Sequence, residues 1–304
     1  MKIGIQSSDT ILELGAEKTY RLFAESGFEV IDWNLDNYLM PQQIIGGNYS
    51  GNCIFEKDLD EITAFFASEL DIIRKNGLTI SQAHAPFPAY TCEYPEMLDH
   101  MIGIYKKVIL FCDRVGCKNL IIHEITHSKN DCANTPETIR ELNDRMYTEL
   151  IPTLCQTDVT VCMENLGAGA VGLRSNNCHE AASYIDRLNG IAGKECFGLC
   201  MDTGHFNLLK QKFQDYVPVL GKRIKAFHIH DNDGISDQHK APYTGTIIWK
   251  DFYNSLRNIG YSGDICFETF RQTTLEVIDQ ELLEPWLKLI AQIGNHFRNR
   301  ILGK

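Results

Sequence analysis

Two rhythms of apolar residues alternate along this chain. Short runs rich in Val, Ile and Phe have the look of buried strands. Between them lie longer stretches in which apolar residues recur at three- and four-residue spacing, as at Ile102, Tyr105, Ile109 and Cys112. The short runs are MKIGIQS (1–7), FEVIDW (28–33), LTISQAH (78–84) and NLIIHE (119–124). They continue as VTVCMEN (159–165), FGLCMDT (197–203), IKAFHIHD (224–231) and DICFETF (264–270). Each is followed by a helix-like segment, of which 60–77, 94–116 and 136–156 are the longest examples. Gly27, Gly77, Gly116 and Gly260 stand where helices should end before the next strand, as left-handed caps.

Eight strand–helix units in 304 residues give about 38 residues each, and strict alternation means a parallel sheet. The pattern predicts one domain over residues 1–304, an α/β (β/α)₈ TIM barrel. An open doubly wound sheet would show a glycine-rich phosphate turn after an early strand, and IGIQSSD is not one. The segment 34–57, rich in Asn, Gly and Tyr, reads as an insertion after strand 2 that covers a substrate, and 86–95 as a second selectivity loop.

Composition narrows the partners. A net charge of −11 repels phosphate backbones and argues against nucleic acid as a partner. With no apolar leader and no run of about 18 apolar residues, no signal peptide or membrane span is expected. Eleven cysteines at irregular spacing, many within apolar runs, read as small buried hydrophobes of a cytoplasmic protein.

Barrel enzymes place their chemistry at the C-terminal ends of the strands. Here those ends carry His84, His123 with Glu124, Glu164 with Asn165, Asp202 with His205, His228 with His230 and Asp231, and Glu268. Asp237 and His239 follow in the loop after strand 7. Any one of them has a bland explanation; Asp202, for instance, could cap the next helix. Together they converge on the barrel mouth, about 10 Å across. Glu164 and Glu268 end apolar strands, and unpaired buried carboxylates are costly, so a cation between them is the natural resolution.

The pieces His84-Ala-Pro, Ile122-His123, Glu164-Asn165, Asp202-Thr-Gly-His205, His228-Ile-His-Asp231, Asp237-Gln-His239, Gly245-Thr-Ile-Ile-Trp249 and Glu268 resemble the xylose isomerase-like TIM barrel superfamily. Its sugar (phosphate) isomerase and epimerase branch implies one divalent metal on Glu164, Asp202, His228 and Glu268. His228 is chosen over His230 because the family's histidine stands three residues before its acid, as His228 does before Asp231; His230 would then face the helices or lie behind the site. Three carboxylates and an imidazole suit Mn²⁺ first, with Mg²⁺, Zn²⁺ or Co²⁺ as alternatives. Such a site polarises a carbonyl and lowers the cost of an enediolate, with Glu164 and Glu268 removing and returning the α proton. The substrate is then a small polyhydroxylated molecule. His205 and His84 are expected to meet its oxygens, and Asn165, Trp33 and Arg271 its hydroxyls or ring face. Arg174 and Lys240 are candidates for a phosphate, and family habit suggests a homodimer or homotetramer.

The type IV AP endonuclease branch of the same superfamily implies three zinc ions on His84, His123, Glu164, Asp202, His205, His228, Asp237, His239 and Glu268. All nine residue types are present. Against that branch stand the net charge, a first loop (SSDTILELGAEK) without basic character, and the acidic loop after His228. Lyase or dehydratase chemistry on a sugar is a third possibility on the same site.

Overall fold

The computed structural model describes residues 1–51, 53–126, 134–167, 169–275 and 277–304. Eight strands appear where the apolar runs place them. They are β1 (Ile3–Gln6), β2 (Val30–Asn34), β3 (Thr79–His84), β4 (Asn119–Ile121), β5 (Thr160–Glu164), β6 (Phe197–Asp202), β7 (Ile224–His228) and β8 (Ile265–Phe267). Most are shorter than their runs because the last residues leave the ladder to enter the loops at the barrel mouth. His123 and Glu124 do so after β4, and Glu268 after β8.

The strands pair in parallel in the order β7-β6-β5-β4-β3-β2-β1-β8. The ring closes between β7 and β8 through Ile229, whose N–H donates to Cys266 O (2.9 Å) and whose carbonyl accepts from Glu268 N (3.0 Å). The result is a (β/α)₈ TIM barrel.

Helices α1 (Ser8–Leu14) and α2 (Ala16–Ser26) follow β1; α3 (Pro41–Ile45) and α4 (Leu59–Lys75) follow β2. One helix follows each of the next three strands: α5 (Met97–Val115), α6 (Pro136–Leu154) and α7 (Cys178–Ala192). After β6 come α8 (Thr203–Leu208) and α9 (Phe213–Leu220), after β7 α10 (Trp249–Asn258), and after β8 α11 (Gln280–Ile301). Their ends carry local signals. Asp58 and Glu61 form a reciprocal capping box at the start of α4, satisfying N–H groups that the helix leaves orphaned. Gly27, Gly77, Gly116 and Gly260 all have positive φ, the backbone that a β-carbon disfavours.

The inner and outer faces of each strand divide the core in two. Outward residues pack beneath the helices; Trp33 lies there, 1% exposed, edge-on to Phe66 at 5.0 Å. Its indole N–H donates to Glu69 Oε1 (2.8 Å), and the Tyr20 and Tyr38 hydroxyls donate to the same carboxylate at 2.6 Å each. This buried carboxylate on α4 therefore ties α2, β2 and the turn after β2 together. Inside the barrel, Ile121, Cys162, Cys200 and Ala226 form a small separate layer below the mouth. Among the described residues seven of nine free cysteines are buried, as expected of small hydrophobes, whereas Cys92 is disulfide-bonded. Among the described residues no helix is long and apolar enough to cross a membrane.

Candidate metal centre

A cavity of about 580 Å³ opens at the C-terminal ends of the strands. The segment after β2 forms one wall with Asn34, Asp36, Asn37, Met40, Pro41 and Gln42, and the loop after β3 adds Phe87, Pro88 and Ala89. Glu164 and Glu268 line it, with Asp202 and His228 beside them. Glu164, Asp202, His228 and Glu268 each offer a ligand atom within 4.8 Å of the others, and all four are buried.

Strand geometry accounts for this convergence. Each residue sits at or just beyond the end of a strand whose preceding apolar residues fix the register, so its side chain rises to the mouth. Glu164 Oε2 lies 3.0 Å from His228 Nδ1 and 3.1 Å from His123 Nε2. Glu268 accepts a bond from Gln6 Nε2 through Oε1 (2.7 Å), leaving Oε2 buried without a hydrogen-bond partner. His228 Nδ1 is likewise buried without one, while its Nε2 approaches Asp32 Oδ2 at 3.0 Å, off the line of a good hydrogen bond. Asp32 is held from below by Gln82 Nε2 (2.8 Å). A buried ring nitrogen of His228 and a buried oxygen of Glu268, both without a hydrogen-bond partner and within one group of acids, are what a cation would satisfy. The donor set, three carboxylates and an imidazole, fits a divalent ion of the Mn²⁺ or Mg²⁺ kind and tolerates Zn²⁺ or Co²⁺.

Two further groups adjoin this one. His84, His123 and Glu164 also place a ligand atom each within 4.8 Å, with the two imidazole Nε2 atoms 3.0 Å apart. On the other side Asp237 Oδ2 lies 2.9 Å from His239 Nε2 and 3.4 Å from His205 Nε2. His84, His205 and His239 each point Nδ1 at a backbone carbonyl, of Ala85, Asn165 and Glu268 (2.9, 3.1 and 3.2 Å). A carbonyl only accepts, so this contact puts the proton on Nδ1 and, in a neutral ring, leaves the Nε2 lone pair for the cavity.

Electrostatics set the two glutamates apart. Burial alone would raise Glu164, but His228, His123 and His205 crowd it and hold it well below the usual carboxylate range. Burial raises Glu268, with Glu164 and Asp202 adding to the effect and His228 and His239 opposing it. Burial, with His123 and His228 beside it, pushes His84 down to about 3. His205 and His228 go the other way: desolvation opposes charge on both, yet Asp202 beside His205, and Cys200, Glu164 and Glu268 around His228, hold them well above the ordinary value.

Several expected substrate contacts belong elsewhere. Trp33 does not reach the cavity: side chains alternate along β2, so Asp32 and Asn34 face the barrel and Trp33 faces the helices. Asn165 is fully buried and clasps Asp202, donating to its carbonyl and accepting from its N–H at 2.9 Å each. Arg271 is exposed on a short turn after β8 and does not line the cavity. Arg174 is committed to Asp144 (3.1 Å) and the Tyr184 ring rather than to a ligand. His230 does not turn to the helices, because it stands two residues beyond His228 and shares its face. Asp202 does cap α8, accepting from His205 N through Oδ1, and still offers an oxygen to the buried group. Residues that the strand-end reading missed are Gln6, Asp32 and Gln82 beneath the group and Asp36 in the wall. The signal was present, since Asp32 and Gln82 are polar residues on the inner face of apolar strands.

Residues 24–292 match the profile of the family described as xylose isomerase-like TIM barrel. Over 126 residues the chain is 27% identical to the D-psicose 3-epimerase of Enterocloster bolteae, covering 41% of this chain and 38% of that one. The fold is similar to that of the D-allulose 3-epimerase from Methylomonas sp., solved with D-allulose (TM-score 0.69, 16% identity, 99% and 96% covered). It is equally similar to the IolI protein, solved with a zinc atom (TM-score 0.68, 17% identity, 99% and 98% covered). With nearly nine-tenths of its length matched, the chain belongs to the xylose isomerase-like TIM barrel family.

Proposed function

We propose that this protein is a metal-dependent sugar isomerase or epimerase acting on an uncharged polyhydroxylated substrate. The observation that carries the reading is the buried group of Glu164, Asp202, His228 and Glu268, of which Glu164 and Glu268 line a sugar-sized cavity. A divalent ion held there supplies Lewis acidity to a substrate carbonyl and its neighbouring hydroxyl. Glu164 and Glu268, which both line the cavity, share the proton transfer: one takes the proton α to the carbonyl and the other returns one. Return to the opposite face of the same carbon inverts it; return to the neighbouring carbon exchanges aldose for ketose. His205 and His84, with Nδ1 anchored on backbone carbonyls, present Nε2 to substrate oxygens. The epimerases among the relatives support the same class of reaction.

The charge of the wall supports a substrate without phosphate. Six acidic residues line the cavity (Asp9, Asp36, Glu124, Glu164, Asp237 and Glu268), and among the described residues no Lys or Arg does. A sugar phosphate would meet these acids with no lysine or arginine among the described lining residues to hold it.

A second reading, hydrolysis of a phosphodiester by three zinc ions, draws on the two adjoining groups, which bring all nine residues of that ligand set to one mouth. Elemental mass spectrometry on protein purified without chelator or affinity tag separates the two. About one ion per chain, with deuterium taken up from D₂O into a free ketose of a substrate panel, is the expected outcome. About three zinc ions per chain with cleavage of abasic DNA would overturn the isomerase reading.

A further inference from the structure

His230 stands behind Asp202, and the turn after β6 is built around its ring. Its Nε2 lies 2.9 Å from Asp202 Oδ2, the geometry of an N–H donating to a carboxylate. Thr203 Oγ1 donates to the His230 carbonyl (2.7 Å) and accepts from its N–H (3.0 Å), which fixes the backbone that carries the ring. Gly204 clears the space. A β-carbon there would lie 1.9 Å from His230 Cε1 and 2.3 Å from Nδ1, so no other L-residue fits while the ring stays in place. The ring's far face stacks on His239 with centroids 4.0 Å apart.

The stretch Asp202-Thr203-Gly204-His205 thus has a use for each member. Asp202 takes the ring N–H, Thr203 pins the backbone, Gly204 admits the ring, and His205 N closes on Asp202 Oδ1. The arrangement leaves His230 Nδ1 buried without a hydrogen-bond partner. A plain core position would avoid that cost with Leu or Met. A side chain retained at such a cost, with its other nitrogen on a carboxylate of the buried group, serves that carboxylate.

We propose that His230 is a positioning residue: it fixes the rotamer of Asp202 so that the free side of that carboxylate faces Glu164, His228 and Glu268. The inference rests on the metal-dependent reading above, and its test separates the two. Mn²⁺ alone is titrated by calorimetry into chelator-stripped wild type and into His230→Ala, His230→Gln, Gly204→Ala and the double variant. Thermal unfolding of the same metal-free proteins is followed by circular dichroism.

Wild type is expected to bind one Mn²⁺. His230→Ala is expected to weaken it by about 10- to 100-fold, the usual loss when a partner behind a metal ligand is removed. His230→Gln, which keeps an N–H donor near the same place, recovers part of that loss. Gly204→Ala lowers both affinity and melting temperature when His230 is present and neither when residue 230 is already alanine. Mn²⁺ affinity unchanged in His230→Ala would overturn the proposal. So would a Gly204→Ala effect of equal size in both backgrounds, which would make the glycine a requirement of the turn and not of the ring. A wild type that binds no divalent ion would sink the functional reading; the melting temperatures would then still decide whether the turn is shaped around His230.

Discussion

A carboxylate that has left water needs a replacement for it, and at this site the replacements differ from one glutamate to the other. Burial raises both glutamates, but His228, His123 and His205 overcome it at Glu164, whereas at Glu268 burial, with Glu164 and Asp202, prevails over His228 and His239, so their proton affinities move in opposite directions. Glu164→Gln is expected to lower kcat by at least about 100-fold, the low end for a general base, with an unchanged circular dichroism spectrum; near-normal turnover would remove Glu164 from proton transfer. His228→Ala is expected to weaken Mn²⁺ more than His230→Ala does, because His228 offers a lone pair to the group whereas His230 acts through Asp202; the reverse ranking would exchange their roles.

Asp36 adds a pH signature. Burial pushes its carboxyl up to about 7, against the opposing pull of Asn34 and of His123. Between its ordinary value near 4 and about 7 the folded state holds a proton that the unfolded state has released, so its contribution to stability falls as pH rises through that window. Metal-free Asp36→Asn is therefore expected to melt above wild type at pH 8 and level with it at pH 4.5. A constant offset at both pH values would rule out this titration.

Secondary elements were the part of the molecule most open to reading from sequence, and the reason is periodicity. Buried parallel strands are short, continuous and apolar, and their helices carry a three-to-four repeat, so all eight units could be counted. What the strand-end reading lost came from not carrying the two-residue alternation through to the side chains. That alternation sends Trp33 outward beside Asp32 and Asn34, and puts His230 on the same face as His228. Contacts across the barrel, such as Gln6 on Glu268 or Asp32 beneath His228, join residues far apart in the chain and leave no mark on local pattern. The Glu69 cluster is of this kind. Glu69→Ala strands two buried donors, on Tyr20 and Trp33, and the half-buried Tyr38 hydroxyl; at roughly 1–3 kcal/mol for each buried one, a loss of at least about 2 kcal/mol in urea unfolding is expected. Glu69→Gln should retain much of that, since its amide oxygen still accepts; equal losses would show that the charge and not the acceptor matters.

For the whole molecule, the site is a concentration of negative charge in a protein that is already at −11. On the metal-dependent reading, removing the cation would return Glu164, Asp202 and Glu268 to mutual repulsion. Chelator treatment is expected to lower the melting temperature, and added Mn²⁺ to raise it with the logarithm of concentration, as for any ligand that binds only the folded state. A melting temperature indifferent to both would argue that the acids are neutralised by protons instead.

The seam of the barrel gives this ensemble a consequence in time. The ring closes at Ile229, between His228 and His230, against the strand that delivers Glu268. The group therefore draws residues from both sides of this seam. A nascent chain emerging from a ribosome holds Glu164, Asp202 and His228 well before it holds Glu268, and until that residue arrives the four-sided group does not exist. On the metal-dependent reading, ion binding would then require that synthesis has reached β8, and a chain ending before Glu268 would lack one of the four ligands.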